Sequence, residues 1–298
     1  MREIVVLSGK GGTGKTSVCA SFANLARNKV VCDLDVDAPD LHILLDPAPR
    51  RVEAFRSGNE AVIDEASCRR CGRCFELCRF GAVIRAGDEY RIDPARCEGC
   101  GVCHALCPAG AVAFPERRCG EWYVSDTRFG PMVHAQLFPG QENSGRLVSL
   151  LKREARALAG ELGLDTIVCD GSPGVGCPVI SSLSGATLAV AVVEPTPSGR
   201  HDFVRVADLC AHFRIPLAVL INKADLNAAE AAALAESART RGGVVVGELP
   251  FDPAVTEAMI RRRAVTETSS PLADTLATVW DRVQDMARAA EHGRKTLS

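Results

Sequence analysis

Residues 68–78 read CRRCGRCFELC and residues 97–107 read CEGCGVCHALC, each a C-x₂-C-x₂-C-x₃-C run. Thiolates at that spacing bind a 4Fe–4S cube, and where two such runs occur together the fourth cysteine of each serves the other cluster. The first cluster is then expected on Cys68, Cys71, Cys74 and Cys107, and the second on Cys97, Cys100, Cys103 and Cys78. Two other metal chemistries fit less well. Cys100-x-x-Cys103-His104 spells a covalent haem attachment, but it would strand Cys97 and Cys107. Zinc suits the C-x₂-C pairs and leaves the closely spaced third and fourth cysteines unexplained. His104 is read as a surface residue. Pro108 follows Cys107 whereas Arg79 follows Cys78, which puts the turn after Cys78 in question.

A second chemistry sits at the start of the chain. Ser8–Ser17 reads SGKGGTGKTS, after an apolar strand and before a helical segment. Glycines let such a loop turn its backbone N–H groups onto phosphate oxygens, and the helix N-terminus adds positive potential. Gly11, Gly12, Thr13, Gly14, Lys15, Thr16 and Ser17 form the expected phosphate cradle, with Lys15 at the β- and γ-phosphates and the Thr16 hydroxyl on Mg²⁺. Two acidic segments end strands: CDLDVD at 32–37 and TIVCD at 166–170. Carboxylates at strand C-termini face the ligand crevice of an open sheet. Asp170 is expected to hold Mg²⁺. Asp33 and Asp37 are either outer Mg²⁺ groups or loop charges, and Asp40 is read as a loop charge. Gly171 and Gly174 are expected to let the following loop move. Asn222-Lys-Ala-Asp225 has the NKxD form that reads guanine, and Pro250 is placed beside the base.

These residues need a scaffold. Apolar strands are expected at 3–8, 29–33, 166–170, 188–193, 217–222 and 244–249, with helices at 15–27, 144–162, 198–213 and 227–241 and two more closing the chain. Strands without polar alternation, separated by helices, make a parallel sheet covered on both faces, and crossover handedness makes it doubly wound. The cysteine-rich segment interrupts this alternation. The expected fold class is α/β, a mostly parallel doubly wound sheet in two parts, residues 1–62 and 117–298, with a small α+β cluster-binding domain inserted at 63–116. Residues 121–137 are read as a hairpin turning near 129–131.

The chain has 298 residues, a net charge of −2 and 14 cysteines. That charge gives no ground for nucleic-acid or membrane binding, and no apolar run is long enough to span a bilayer. A cytoplasmic, reducing location is expected, where cysteines bind metal or do redox work rather than cross-link. Cys19, Cys32, Cys169 and Cys210 are read as core residues, Cys119 has no assigned partner, and Cys177 is read as packing rather than as a ligand.

Lys10, a second lysine inside the glycine loop, resembles the deviant signature of the MinD/ParA-type ATPases, and the two cysteine runs resemble a bacterial two-cluster ferredoxin inserted into such a protein. The resemblance implies that ATP with Mg²⁺ joins two copies into a homodimer, and that Lys10 reaches the partner copy's nucleotide. It further implies that Asp35 orients the attacking water and that Asn222 contacts adenine rather than guanine. The implied function is an ATP-gated iron–sulfur electron-transfer protein acting on a redox partner. An iron–sulfur carrier serving an apoprotein, and a positioning ATPase whose clusters sense redox state, are the alternatives.

Overall fold

The computed structural model describes residues 1–141 and 143–295. In chain order the elements are β1 (Arg2–Ser8), α1 (Lys15–Leu25), β2 (Lys29–Asp33), α2 (Leu41–Leu45), β3 (Ala48–Asn59), β4 (Val62–Ile63), α3 (Arg73–Leu77), β5 (Val83–Ala86), β6 (Glu89–Ile92), α4 (Val102–Ala105), β7 (Val112–Ala113), β8 (Glu116–Thr127) and β9 (Gly130–Leu137). They continue with α5 (Ser144–Glu161), β10 (Thr166–Pro173), α6 (Cys177–Leu183), β11 (Leu188–Val193), α7 (Pro197–His212), β12 (Leu217–Asn222), α8 (Ala228–Thr240), β13 (Val244–Leu249), α9 (Pro253–Ile260) and α10 (Pro271–Lys295).

The main sheet has the order β13-β12-β11-β1-β10-β2-β9-β8-β3. From β13 to β9 every pairing is parallel. Strand β1 sits near the middle, and all six residues of β11 are buried. Such strands cannot leave either face to water, so helices cover both. Ile4, Val6, Val168 and Val190 join one apolar core with Phe22 of α1 and Trp280 of α10, whose rings lie 4.9 Å apart. On the other face α5 buries Leu147, Val148, Leu151, Ala155 and Ala159, a helical stripe. The doubly wound reading of the sheet holds.

Three local features differ from the sequence reading. Strand β3 was not expected: its first seven residues are exposed and include Arg50, Arg51 and Glu53, so it shows no apolar run. It lies at the sheet edge, where charged residues are the norm. The hairpin turns at Arg128 and Phe129, and β8 starts at Glu116, earlier than expected. Strand β10 runs on to Pro173, so Gly171 is not a loop hinge. A Cβ at Gly171 would stand 2.5 Å from Leu7 Cδ2 and 2.9 Å from the Val6 carbonyl oxygen, both on β1. Gly171 is therefore a close-packing glycine. Gly174 lies just past β10 at φ +91°, and its N–H donates to the Ser8 carbonyl at 2.8 Å.

Contacts divide the chain into two compact units: Met1–Glu53 with Glu121–Gln136 and the chain from Ser144 onward, and Ala54–Gly120 with Leu137–Asn143. The second unit is wider than the expected 63–116 segment because it includes the ends of β3 and β8 and the segment after β9. It contains two short antiparallel sheets, β4-β7 and β5-β6. Its backbone repeats at the offset from Cys68 to Cys97: positive φ recurs at Arg70 and Gly99, at Gly72 and Gly101, and at Gly81 and Gly110. Both short helices, α3 and α4, start after a glycine in the left-handed region.

The fit around Gly171 gives a direct test of the scaffold. Gly171→Ala is expected to lower stability by about 1–3 kcal/mol through overpacking against β1, read as a lower urea midpoint at unchanged slope.

Candidate nucleotide site and cysteine cavities

The loop between β1 and α1 ends at Gly14, whose φ of +91° only glycine adopts readily. A Cβ on Gly14 would also stand 2.4 Å from Asn222 Nδ2. No side chain caps α1. Helices α2, α3, α4 and α6 also lack a side-chain cap, whereas Thr196 accepts from Gly199 N at the start of α7, Asn227 from Glu230 N at α8, and Asp252 from Ala254 N at α9. At α1 the free N–H groups and the helix dipole are left for an anion beside the glycine loop.

Lys15, the first residue of α1, is buried, and its ammonium donates to Asp170 Oδ1 at 2.7 Å and to Asp35 Oδ2 at 3.2 Å. Burial alone would lower its pKa, but the carboxylates of Asp170, Asp35 and Asp33 more than offset that and raise it. The carboxylates in turn lack enough cation. Burial, then the neighbouring Asp170, pushes Asp33 well above the usual carboxylate range, against the pull of Lys15. Burial also raises Asp35, opposed by Lys15 and reinforced by Asp170. Asp33 Oδ2, Asp170 Oδ2 and Thr13 Oγ1 are buried without a hydrogen-bond partner. Orphaned carboxylate oxygens beside a phosphate-binding loop are the donor set a hard divalent cation takes, so these residues fit Mg²⁺ with a nucleotide.

The loop opens on a cleft of about 420 Å³. Every expected cradle residue lines it, from Gly11 to Ser17, together with Asp35, Asn222 and Pro250. Asp40, read from sequence as a plain loop charge, lines it as well. Asn222 reaches the loop itself: its Nδ2 donates to the Thr13 carbonyl at 2.7 Å. Lys223, read from sequence only as part of the NKxD form, donates through Nζ to the Gly12 carbonyl, and Phe251, Val255 and Met259 form a far wall to which the sequence reading gave no role. The placing of Pro250 beside the base pointed toward that wall.

Lys10 stands apart from Lys15. Its ammonium lies 3.3 Å from both Thr196 Oγ1 and Ser198 Oγ and 3.8 Å from Glu194 Oε2. Its side chain is 32% exposed. Glu194 also lies 3.8 Å from Lys223 Nζ. The Glu194–Gly199 loop thus holds the signature lysine within its own chain.

In the second unit Cys68, Cys71, Cys74 and Cys107 line one cavity, with Arg69, Arg73, Tyr90 and Pro108. Three come from one run and the fourth from the other. Cys68 Sγ accepts from Arg70 N at 3.4 Å and Cys78 Sγ from Ala82 N at 3.3 Å. Burial would raise the thiols of Cys78 and Cys107, but surrounding backbone N–H groups outweigh it and lower both, from residues 80–83 and 109–112 respectively. Arg79 therefore leaves the turn after Cys78 equivalent to the one after Cys107. Such N–H donors suit sulfur ligands of an iron–sulfur cluster. Among the described residues no group of three or more His, Cys, Asp or Glu side chains is arranged to hold a single metal ion. His104 is exposed, with Nδ1 2.5 Å from the Val112 carbonyl. Cys19, Cys32, Cys169 and Cys210 are buried as expected. Cys119 is buried and donates to the Ser57 carbonyl at 3.1 Å. Cys177 is exposed, against the packing reading, because it opens α6 rather than lying inside it.

A parallel sheet ending in an uncapped glycine loop, with a buried lysine among strand-end carboxylates, belongs to the class of P-loop nucleotide-binding proteins. Comparison with known proteins narrows this. Residues 4–265 match the CobQ/CobB/MinD/ParA nucleotide binding domain, and the chain belongs to that family. It is a P-loop ATPase of the MinD/ParA type. It is 30% identical to the uncharacterized protein MJ0578 of Methanocaldococcus jannaschii over 95% of this chain and 96% of that one. A second protein of the same organism, MJ0579, is 24% identical over 75% of this chain and 80% of its own length. Among solved structures, the fold is similar to the cell division ATPase MinD of Pyrococcus furiosus, with a TM-score of 0.57, 15% identity and coverage of 96% and 99% of the two chains. It is also similar to the septum site-determining protein MinD of Pyrococcus horikoshii, solved with Mg-ADP, with a TM-score of 0.58, 15% identity and coverage of 97% and 98%.

The crowded carboxylates give a pH test with a definite sign. Asp33 has a higher pKa folded than unfolded, so between the two values the native state holds a proton that the unfolded chain has lost. Stability of the metal-free protein then falls as pH rises through that window. Asp33→Asn is expected to reduce this fall, read by urea unfolding in chelator at several pH values, and also to weaken Mg²⁺-dependent nucleotide binding.

Proposed function

We propose that the protein couples ATP binding and hydrolysis to one-electron transfer through two 4Fe–4S clusters. The observation that carries this reading is the cavity shared by Cys68, Cys71, Cys74 and Cys107, a cluster ligand set drawn from both runs, in a chain that also carries the nucleotide cleft. The other set would be Cys97, Cys100, Cys103 and Cys78. When bound, the clusters supply a one-electron carrier that needs no proton. The remaining work falls to the chain's own side chains. The uncapped start of α1 and Lys15 hold the phosphates. Asp170, Thr16 and Asp33 hold Mg²⁺, and its charge relieves the carboxylates that Lys15 alone does not neutralise. Asp35 orients the water that attacks the terminal phosphate, and Asn222 and Pro250 border the adenine.

Lys10 is the gating residue. Two hydroxyls and a carboxylate at 3.8 Å hold it while partly exposed, and contacts of that kind contribute little. A second copy presenting an ATP γ-phosphate would draw it away, closing a homodimer. Gly174 lets the loop after β10 follow that change. The exposure of Cys71 and Cys100 favours one alternative, delivery of a cluster to an apoprotein; rapid cluster loss to an acceptor, without electron turnover, would mark it.

Two measurements test the reading. Asp35→Asn is expected to bind ATP, lose hydrolysis and accumulate as a dimer, whereas Lys10→Ala binds ATP and stays monomeric; light scattering with and without ATP reads both. A Lys10→Ala protein that dimerises like the parent sinks the gating. Cys78→Ser is expected to damage the cluster on Cys97, Cys100 and Cys103 and largely spare the other, read by iron content and electron paramagnetic resonance. Damage confined to the Cys68–Cys74 cluster would show that the ligands do not cross over.

A further inference from the structure

The arginines of the cluster-binding unit fall into two groups. Arg85 pairs with Asp88, Arg91 with Glu65 and Glu89, Arg96 with Asp93, and Arg117 with Glu60. Arg56 donates to the Glu116 carbonyl, and Arg118 lies over the Phe138 ring. Arg69, Arg70, Arg73 and Arg79 are exposed, and their side chains have no ion pair or hydrogen bond among the described residues. All four lie within or directly after the first cysteine run, where the only carboxylate is Glu76. Arg69 and Arg73 also line the cavity of Cys68, Cys71, Cys74 and Cys107. Beside them Phe75 and Phe80 are each 48% exposed. The second run has none of this: the residues equivalent to Arg69, Arg70, Arg73 and Arg79 are Glu98, Gly99, Val102 and Pro108, and those equivalent to Phe75 and Phe80 are His104 and Ala109.

We propose that the first cysteine run is the docking surface for an acidic one-electron carrier protein. The proposal rests on the iron–sulfur reading and names the partner that reading lacks. Unpaired cations around two exposed aromatic rings match the usual anatomy of a protein interface, with apolar anchors and a polar rim. They steer a partner of opposite charge. Because the cations alternate with cluster ligands along the chain, a partner bound there is held against the cluster that exchanges with it. With the cluster loaded, the docked carrier would give it one electron, the carrier being oxidised as the cluster is reduced, with no covalent bond formed or broken. A polynucleotide is the less favoured occupant, since it calls for a charged groove that tracks a backbone, and the unit's other arginines are already partnered.

The test uses the full chain loaded with iron and sulfide, and an acidic flavodoxin as the probe. Binding is followed by anisotropy of labelled flavodoxin at low and high salt, and electron exchange by stopped flow. Expected are binding that weakens steeply with salt, and a loss of about tenfold or more in affinity for Arg69→Gln/Arg70→Gln/Arg73→Gln. Phe80→Ser should weaken binding while leaving its salt dependence in place, and Arg85→Gln, whose arginine is already paired, should change little. Iron content and visible spectrum of each variant report whether the clusters are intact. A parent chain that binds no iron refutes the iron–sulfur reading and the proposal with it. Intact clusters with flavodoxin bound equally by the parent and the triple variant overturn the docking surface alone. A triple variant that shifts the cluster potentials without changing binding overturns it too, since the arginines then serve only to neutralise the cluster. Tighter binding of single-stranded DNA or anionic vesicles than of flavodoxin at equal salt also overturns it.

Discussion

The ammonium of Lys15, held between Asp170 and Asp35 with Asp33 close by, is the interaction on which the nucleotide site depends. One cation faces three buried carboxylates, one at the end of β2, one within β10 and one in the turn beyond β2. Buried charges are costly unless compensated, and here the compensation is partial. The protein meets the shortfall by raising the pKa of Asp33 and Asp35 and by leaving carboxylate oxygens unpaired. A divalent cation held by Asp33 and Asp170 would supply the missing charge. Lys15, at the start of α1, would then serve the phosphates from the place it already occupies. The same charge deficit would favour a metal-bound nucleotide over a bare one.

The sheet makes this geometry possible. Strands β1, β2 and β10 are adjacent and parallel, so their C-terminal ends reach one edge together. Gly171 lets β10 lie close against β1, and Ser172 Oγ donates to the Leu34 carbonyl at 2.8 Å, tying the ends of β10 and β2. Gly174, the first residue beyond β10, is tied back to β1 as well: its N–H donates to the Ser8 carbonyl at 2.8 Å.

Much of this was legible in the sequence because burial on both faces leaves an unmistakable apolar run, as in LAVAVV at 188–193. Strand β3 was not legible, since an exposed edge strand has no reason to be apolar. The role of Gly171 was hidden for a related reason: a glycine that permits motion and a glycine that permits close approach look alike until the neighbouring strand is present. The phosphate loop was readable residue by residue, yet its contact with Lys223 depends on a residue about two hundred positions away. In the second unit the repeat was visible as cysteine spacing. The paired left-handed positions beneath it were not fully so, because Arg70 occupies in one copy the conformation that Gly99 occupies in the other.

One loop carries two lysines, and their environments divide the labour between them. Lys15 is sealed beneath the cleft with contacts of 2.7 and 3.2 Å to carboxylates. Removing it leaves uncompensated buried charge, which is expensive. Lys10 rests on two hydroxyls at 3.3 Å with water at hand, so its departure exposes nothing that solvent does not satisfy. The first environment holds its lysine firmly, and the second holds its lysine loosely. Thr196 sharpens the contrast, because its Oγ1 also caps α7 by accepting from Gly199 N at 3.0 Å. Were Lys10 to leave, as the gating proposal requires, that oxygen would keep its helix-capping bond. The resting contact of Lys10 is therefore built on groups that already have other partners, and releasing it disturbs no element of the fold.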